Sequence, residues 1–175
     1  MTEHHSVLAA PDEDVDHIRG PTAGRVILEY GDYECPHSRR AFRSIQRVEQ
    51  ELHGGIRFVF RHFPLVQIHP HAFGAAAAAE AAAVQDTFWA MHELLFDRRE
   101  ALEDDDLRGY AGELDLDVER FDQDRVGPDV RHRIRRDVEI GLASREVRGT
   151  PTLFIDGVVY RGGYGADTLL EILVG

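Results

Sequence analysis

The chain has 175 residues, 43% hydrophobic and 30% charged, a composition of single-domain globular proteins and not of disordered or membrane-spanning chains. Its formal charge is −12 and all 20 residues counted as Lys+Arg are Arg, which excludes a lysine Schiff base and a complete Walker A loop and opposes binding to nucleic acid or an anionic membrane. The one cysteine, Cys35, excludes any internal disulfide.

Residues 1–24 carry Pro11, Gly20, Pro21 and Gly24 among many charges and read as an extended lead-in. Met1–Asp16 lacks the basic-then-apolar order of a signal peptide, and no segment approaches the roughly 20 apolar residues that span a bilayer. The expectation is a cytoplasmic protein without a membrane partner. Residues 25–175 read as one domain. Val26-Ile27-Leu28 has the continuous apolar run of a strand buried on both faces. Phe42, Ile45, Val48 and Leu52 fall at helical spacing within a helix from about Pro36 to Leu52, which Gly54-Gly55 ends. Ile56–Phe60 is a second buried strand, completing a βαβ unit.

From about 66 to 148 the pattern is helical. Ala75–Ala83 has high helix propensity but little bulk, and Trp89, Met91, Leu94, Leu95 and Phe96 supply large apolar groups beside it. Asp104–Ala111 and Asp117–Phe121 predict short helices and Pro128–Val147 a longer one, whose Arg131, Arg133, Arg135 and Arg136 read as a solvated face. Thr152–Ile155 and Val158–Arg161 flank Asp156-Gly157, a strong hairpin signal. After the loop Gly162-Gly163-Tyr164-Gly165, Asp167 caps a last helix containing Leu169, Leu170, Ile172 and Leu173. The predicted order is βαβ, helical insertion, ββα.

Reactive chemistry concentrates at Cys35. It stands where a buried strand gives way to a helix, with Pro36 suited to the first helical position. Unpaired backbone N–H groups and the positive helix end favour a thiolate there. A protonated His37 and the Ser38 hydroxyl are expected to stabilise it further, whereas Asp32 and Glu34 oppose it by charge. The helix end is nearer and oriented, so the thiolate is expected to prevail. The competing reading makes Cys35 a small buried hydrophobe.

Glu29–Arg40 (Glu-Tyr-Gly-Asp-Tyr-Glu-Cys-Pro-His-Ser-Arg-Arg) resembles the DsbA-like branch of the thioredoxin superfamily. Matching segments follow in order: Arg61–Leu65 with His69-Pro70, Phe88–His92, and Gly149–Thr152; Val15–Gly20 resembles the lead-in. The resemblance implies an α/β thioredoxin-like fold (βαβ–ββα) with a helical insertion between its halves. It also implies a disulfide-exchanging enzyme, and a cis Thr150-Pro151 loop that docks substrate beside Cys35. The family's Cys-Pro-x-Cys departs here to Cys-Pro-His-Ser, so Cys35 can attack a disulfide but no internal thiol can resolve the product. Three chemistries stay open: monothiol exchange completed by glutathione or another small thiol, isomerisation resolved by the substrate's own thiol, or a binding or redox-switch role. A glutathione-transferring enzyme of the kappa type is a further alternative. Protein or peptide disulfides, or glutathione, are the expected partners, and no cofactor.

The spacing of His62, His69 and His71 matches no compact zinc pattern, so no metal is expected. His69-Pro70-His71 reads as a helix start and His62 as a strand end. Asp104–Asp106 reads as a solvated helix start, and Trp89 and Met91 as core. The glycine-rich loop around Tyr164 is expected near the site.

Overall fold

The computed structural model describes Leu8 and residues 10–175; residues 1–7 and 9, part of the expected lead-in and of the stretch without a signal-peptide pattern, lie outside them. A five-stranded sheet organises the fold in the order β1 (His17–Arg19), β3 (Ile56–His62), β2 (Arg25–Gly31), β4 (Thr152–Ile155), β5 (Val158–Tyr160). β2 and β3 run parallel, joined by α1 (Pro36–Glu51), and the other pairings are antiparallel. Five helices separate the halves: α2 (Ala72–Val84), α3 (Phe88–Asp97), α4 (Asp104–Glu113), α5 (Val118–Arg125) and α6 (Pro128–Ser144). After the hairpin, α7 (Ala166–Val174) ends the chain. The fold is α/β and thioredoxin-like, with the helical insertion where the sequence puts it. Among the described residues no helix is long and apolar enough to cross a membrane.

Alternation along the central strands divides the core. Ile27, Phe58 and Phe60 face Phe42, Ile45 and Val48 of α1 and the helices of the insertion. Leu28, Tyr30, Val59 and Phe154 face the other way, with Phe63 and Val147. α2 is enclosed on several sides, because Ala78, Ala79 and Ala82 join the main core while Ala76 and Ala77 meet Val130 and Ile134 of α6. A helix surrounded in this way needs small side chains, which explains the alanine run. At the hairpin, Asp156 (φ 48°) and Gly157 (φ 84°) take the left-handed conformations of a tight turn, and Asp156 Oδ1 accepts from the Val26 N–H at 2.9 Å.

β1 lies within the stretch read as lead-in. Three residues carry no readable periodicity, and charges fix them instead. Fully buried Arg61 holds Asp16 through two bonds, Nε to Oδ1 at 2.9 Å and Nη2 to Oδ2 at 2.7 Å, and reaches the Tyr30 hydroxyl at 3.1 Å. Arg136 also reaches Asp16, at 2.8 Å, and Arg133 bonds Asp137. Those two arginines therefore depart from the solvated face expected of α6, since buried carboxylates draw them inward. Burial alone raises the Asp16 carboxyl, but bonds from Arg61 and the Asp12 backbone and then Arg136 hold it at about 2. Its contribution to stability is present above the ordinary value of 3.8 and is lost as pH falls toward 2. Asp16→Asn is expected to cost about 3–5 kcal/mol in urea unfolding at neutral pH, because it removes the buried carboxylate that Arg61 bonds twice and Arg136 once. A loss below about 1 kcal/mol would show that Arg61 finds another counterion.

Candidate active site

β2 delivers the chain to a turn at Asp32–Glu34, and α1 begins immediately after it. Asp32 shapes that turn: its Oδ1 accepts from the Glu34 N–H at 2.8 Å and its carbonyl from the Cys35 N–H at 3.1 Å. Cys35 is the N-cap of α1, extended at φ −74° and ψ 123°, with Pro36 following in the first turn. The cysteine is free and only 3% exposed. Its thiol donates to the Thr150 carbonyl across 3.5 Å. The Thr150–Pro151 peptide is cis. Cys35 and the Thr150-Pro151 loop, separated by 115 residues, thus form one site.

The remaining site residues expected from sequence have other partners. His37 is exposed, and its Nδ1 lies 3.0 Å from the Tyr164 hydroxyl and 3.2 Å from an Arg40 guanidinium nitrogen. It links α1 to the glycine-rich loop instead of bonding Sγ, because the first helical turn points it outward. Pro36 is exposed beside it. Ser38 is buried, and its Oγ accepts from the Asp32 N–H at 3.2 Å. The expected bond from Ser38 to the thiolate is therefore replaced by one that closes the turn, whose orphan amide lies within reach.

Asp32 and Glu34 are drawn away from the thiol by the segment before α2. Asp32 Oδ2 accepts from the Leu65 N–H at 2.9 Å and from His69 Nδ1 at 2.7 Å. Glu34 accepts from the His71 N–H at 2.7 Å and from His71 Nδ1 at 3.0 Å. His62 lies elsewhere. His62 Nε2 and His17 Nε2 both donate to Glu80 Oε1, at 2.7 and 2.6 Å, joining β3, β1 and α2. Burial works to raise the Glu80 carboxyl, yet the two histidine bonds hold it well below the ordinary carboxylate range. His17, His62 and Glu80 are also close enough together to share a cation.

Glu29 is the residue that sequence reasoning missed. It is fully buried on β2, neither carboxylate oxygen has a hydrogen-bond partner among the described residues, and burial pushes its carboxyl up to about 8 against a partial opposing pull from Arg19. It sits near the site end of the strand: a Cβ placed on Gly31 would lie 3.0 Å from Glu29 Oε1. A lone acid inside the apolar run Val26–Tyr30 was the signal available. Behind the turn, Tyr33 bonds His92 Nδ1 at 2.9 Å inside an aromatic cluster with Phe42, Phe60 and Phe96. Burial holds the Tyr33 hydroxyl well above its ordinary range and His92 well below its own, so the hydroxyl donates to a neutral ring.

Two hollows are lined by residues that neighbour Cys35 and Thr150 in the chain. One of about 170 Å³ runs along Pro151, Thr152 and Tyr164, and the other, of about 220 Å³, is lined by Pro36, Arg39, Arg40, Arg43 and Arg99. A thiol at a helix cap, with a half-buried cis-proline loop against it, has the setting of a disulfide-exchange site, and one thiol alone cannot close a disulfide.

A family model described as Thioredoxin matches residues 13–174. The chain is 42% identical over 170 residues to the Na(+)/H(+) antiporter NhaA 1 of Mycolicibacterium vanbaalenii, and 43% identical over 169 residues to the Na(+)/H(+) antiporter NhaA of Herminiimonas arsenicoxydans. Each match takes 95% of this chain and 27% of the relative, so the chain spans about a quarter of the length of these curated relatives. Among solved structures it is similar to a thioredoxin-like oxidoreductase from Silicibacter pomeroyi DSS-3, with 25% identity and a TM-score of 0.79 over 97% of this chain and 95% of that one. The fold is shared with alpha-DsbA1 of Wolbachia pipientis, with 20% identity and a TM-score of 0.79 over 97% and 94% of the two chains. It is also shared with BdbD of Bacillus subtilis, with 20% identity and a TM-score of 0.78 over 94% of each.

Proposed function

The chain belongs to the thioredoxin family, and on that premise we propose that it is a DsbA-like thiol–disulfide exchange enzyme working through Cys35 alone. The observation that carries the reading is the thiol at the α1 cap, 3.5 Å from the Thr150 carbonyl. On deprotonation the thiol gives up that bond, and the free N–H groups of the first helical turn favour the resulting charge. The thiolate attacks one sulfur of a substrate disulfide. A new S–S bond to Cys35 forms, the substrate bond breaks, and the departing thiolate takes a proton from water. The half-buried Thr150-Pro151 loop is suited to pair with an extended protein segment. An external thiol, or a second thiol of the substrate, then resolves the mixed disulfide. A cytoplasmic setting, rich in reduced small thiols, belongs to this proposal.

Incubation with oxidised glutathione, followed by mass spectrometry, is expected to place one adduct on Cys35, and reduced glutathione is expected to support turnover of a peptide disulfide. Cys35→Ala should lose both. An unreactive Cys35 at neutral pH would overturn the enzyme reading. The antiporter relatives favour a second one, in which the domain accompanies a membrane transporter and Cys35 acts as a redox-sensitive contact. Adduct formation without turnover would favour it. The kappa-type alternative is weaker, because it needs a hydroxyl at the helix mouth and the Ser38 hydroxyl is buried against Asp32.

A further inference from the structure

We propose that the arginines beside Cys35 form a carboxylate-binding subsite that selects small anionic thiols and disulfides of the glutathione type. The proposal rests on the monothiol reading and names the co-substrate class that reading leaves open.

Arg39, Arg40 and Arg43 occupy the first two turns of α1, and Arg99 approaches from the segment after α3; with Pro36, the residue that follows Cys35, they line the 220 Å³ hollow. Cations at the start of a helix face the positive end of its dipole and cost stability there. The first turn of α1 contains no acidic residue to offset them. Among the described residues, none of Arg39, Arg40 and Arg43 makes an ion pair. Arg47, one turn further along the same helix, makes two, with Glu51 and Asp167 at 2.8 Å each.

The contacts these arginines do make orient them without neutralising them. Arg39 Nη2 donates to the Asp97 carbonyl at 3.0 Å and Arg99 Nη1 to the Glu34 carbonyl at 3.2 Å. Arg40 donates to His37 at 3.2 Å. The Nε donors of Arg39 and Arg99 are buried and have no partner. The one carboxylate paired within the group is that of Glu100, a largely exposed side chain 3.4 Å from Arg99 Nη2. Four guanidinium groups therefore converge with little counter-charge in a chain whose formal charge is −12. Among the described residues Glu100 alone pairs with this group, and an anionic ligand would offset the remaining excess.

The hollow is small and begins at Pro36, one residue from Cys35, so a ligand that reaches both carries carboxylates several bonds from a sulfur. Glutathione disulfide has that arrangement, and planar guanidinium groups pair well with carboxylates. Bound there, the disulfide presents one sulfur to the Cys35 thiolate. Attack forms the Cys35–glutathione bond and breaks the glutathione–glutathione bond. The cysteine is oxidised, one glutathione half is reduced, and that half leaves as a thiolate and takes a proton from water.

The test compares adduct formation at Cys35 with three probes: glutathione disulfide (anionic), 2-hydroxyethyl disulfide (neutral) and cystamine (dicationic). The quantity read is each second-order rate divided by that of the neutral probe, which removes any general change in thiol reactivity. The expected order is glutathione disulfide above the neutral probe and cystamine below it, and added salt should compress the spread. Arg40→Ala combined with Arg43→Ala is expected to lower the glutathione ratio about tenfold, while Arg135→Ala, on the exposed face of α6, leaves it unchanged. Cystamine reacting as fast as glutathione disulfide, or a ratio unmoved in the double variant, would overturn the subsite. If none of the three probes reacts, the exchange reading itself falls, and the subsite with it.

Discussion

Ser38→Cys is expected to convert the protein from one that needs an external thiol into one that resolves its own mixed disulfides. Ser38 lies one helical turn after Cys35 on the first turn of α1, and both residues are buried in the same turn around Asp32. A thiol there meets a Cys35 mixed disulfide as an intramolecular nucleophile, at effective concentrations far above those of free thiols in solution. Release of a peptide from a preformed mixed disulfide should then rise by about 10²–10³-fold in millimolar glutathione, and it should proceed with no added thiol at all. The wild-type chain should release nothing until thiol is added. The substitution also removes the Ser38 Oγ contact to the Asp32 N–H, a loss of about 1 kcal/mol, which is small beside the kinetic gain. Thiol-free release by the wild-type protein at a similar rate would overturn the external-resolution step.

The second large effect is on stability and comes from Glu29. Its carboxyl is buried without a partner and titrates at about 8 instead of its ordinary 4.5. The folded state therefore binds this proton more tightly than the unfolded state does. Its contribution is fully present below pH 4.5 and is lost as pH rises through about 8. At about 1.4 kcal/mol per pH unit, the loss across that window is roughly 5 kcal/mol. Glu29→Gln keeps the shape and removes the titration. The urea midpoint of the wild-type protein minus that of the variant should fall with pH across the window, since buried His92, which acts in the opposite sense, is common to both. Asp16 and Glu80 lie outside the comparison, because both titrate below it. Parallel curves for the two proteins would show that Glu29 is ionised and solvated in the folded state.

Local rules made much of the site legible. Cys35 followed by Pro36 reads as a helix mouth because a proline suits the first turn and a cap precedes it. Asp156-Gly157 reads as a hairpin because both residues accept positive φ. Partners distant in the chain were not legible in the same way. His69 and His71 look alike in sequence, yet one bonds Asp32 and the other Glu34, while His62 turns to Glu80 beside His17. Which carboxylate a histidine meets depends on loop paths that periodicity does not encode.

The amino-acid sequence by itself determined the order of strands and helices from β2 onward, the cysteine at a helix mouth and its being the one thiol of the sequence. Those depend on apolar spacing, turn chemistry and composition, which act over a few residues. Only the tertiary structure decided what surrounds the thiol. It gave Asp32 and Glu34 to the segment before α2, Ser38 to the turn and His37 to Tyr164, left Glu29 without a hydrogen-bond partner among the described residues and gathered four arginines around Pro36. Electrostatic and hydrogen-bonding partners are set by distance in space, and a folded chain brings together charges that its sequence keeps far apart.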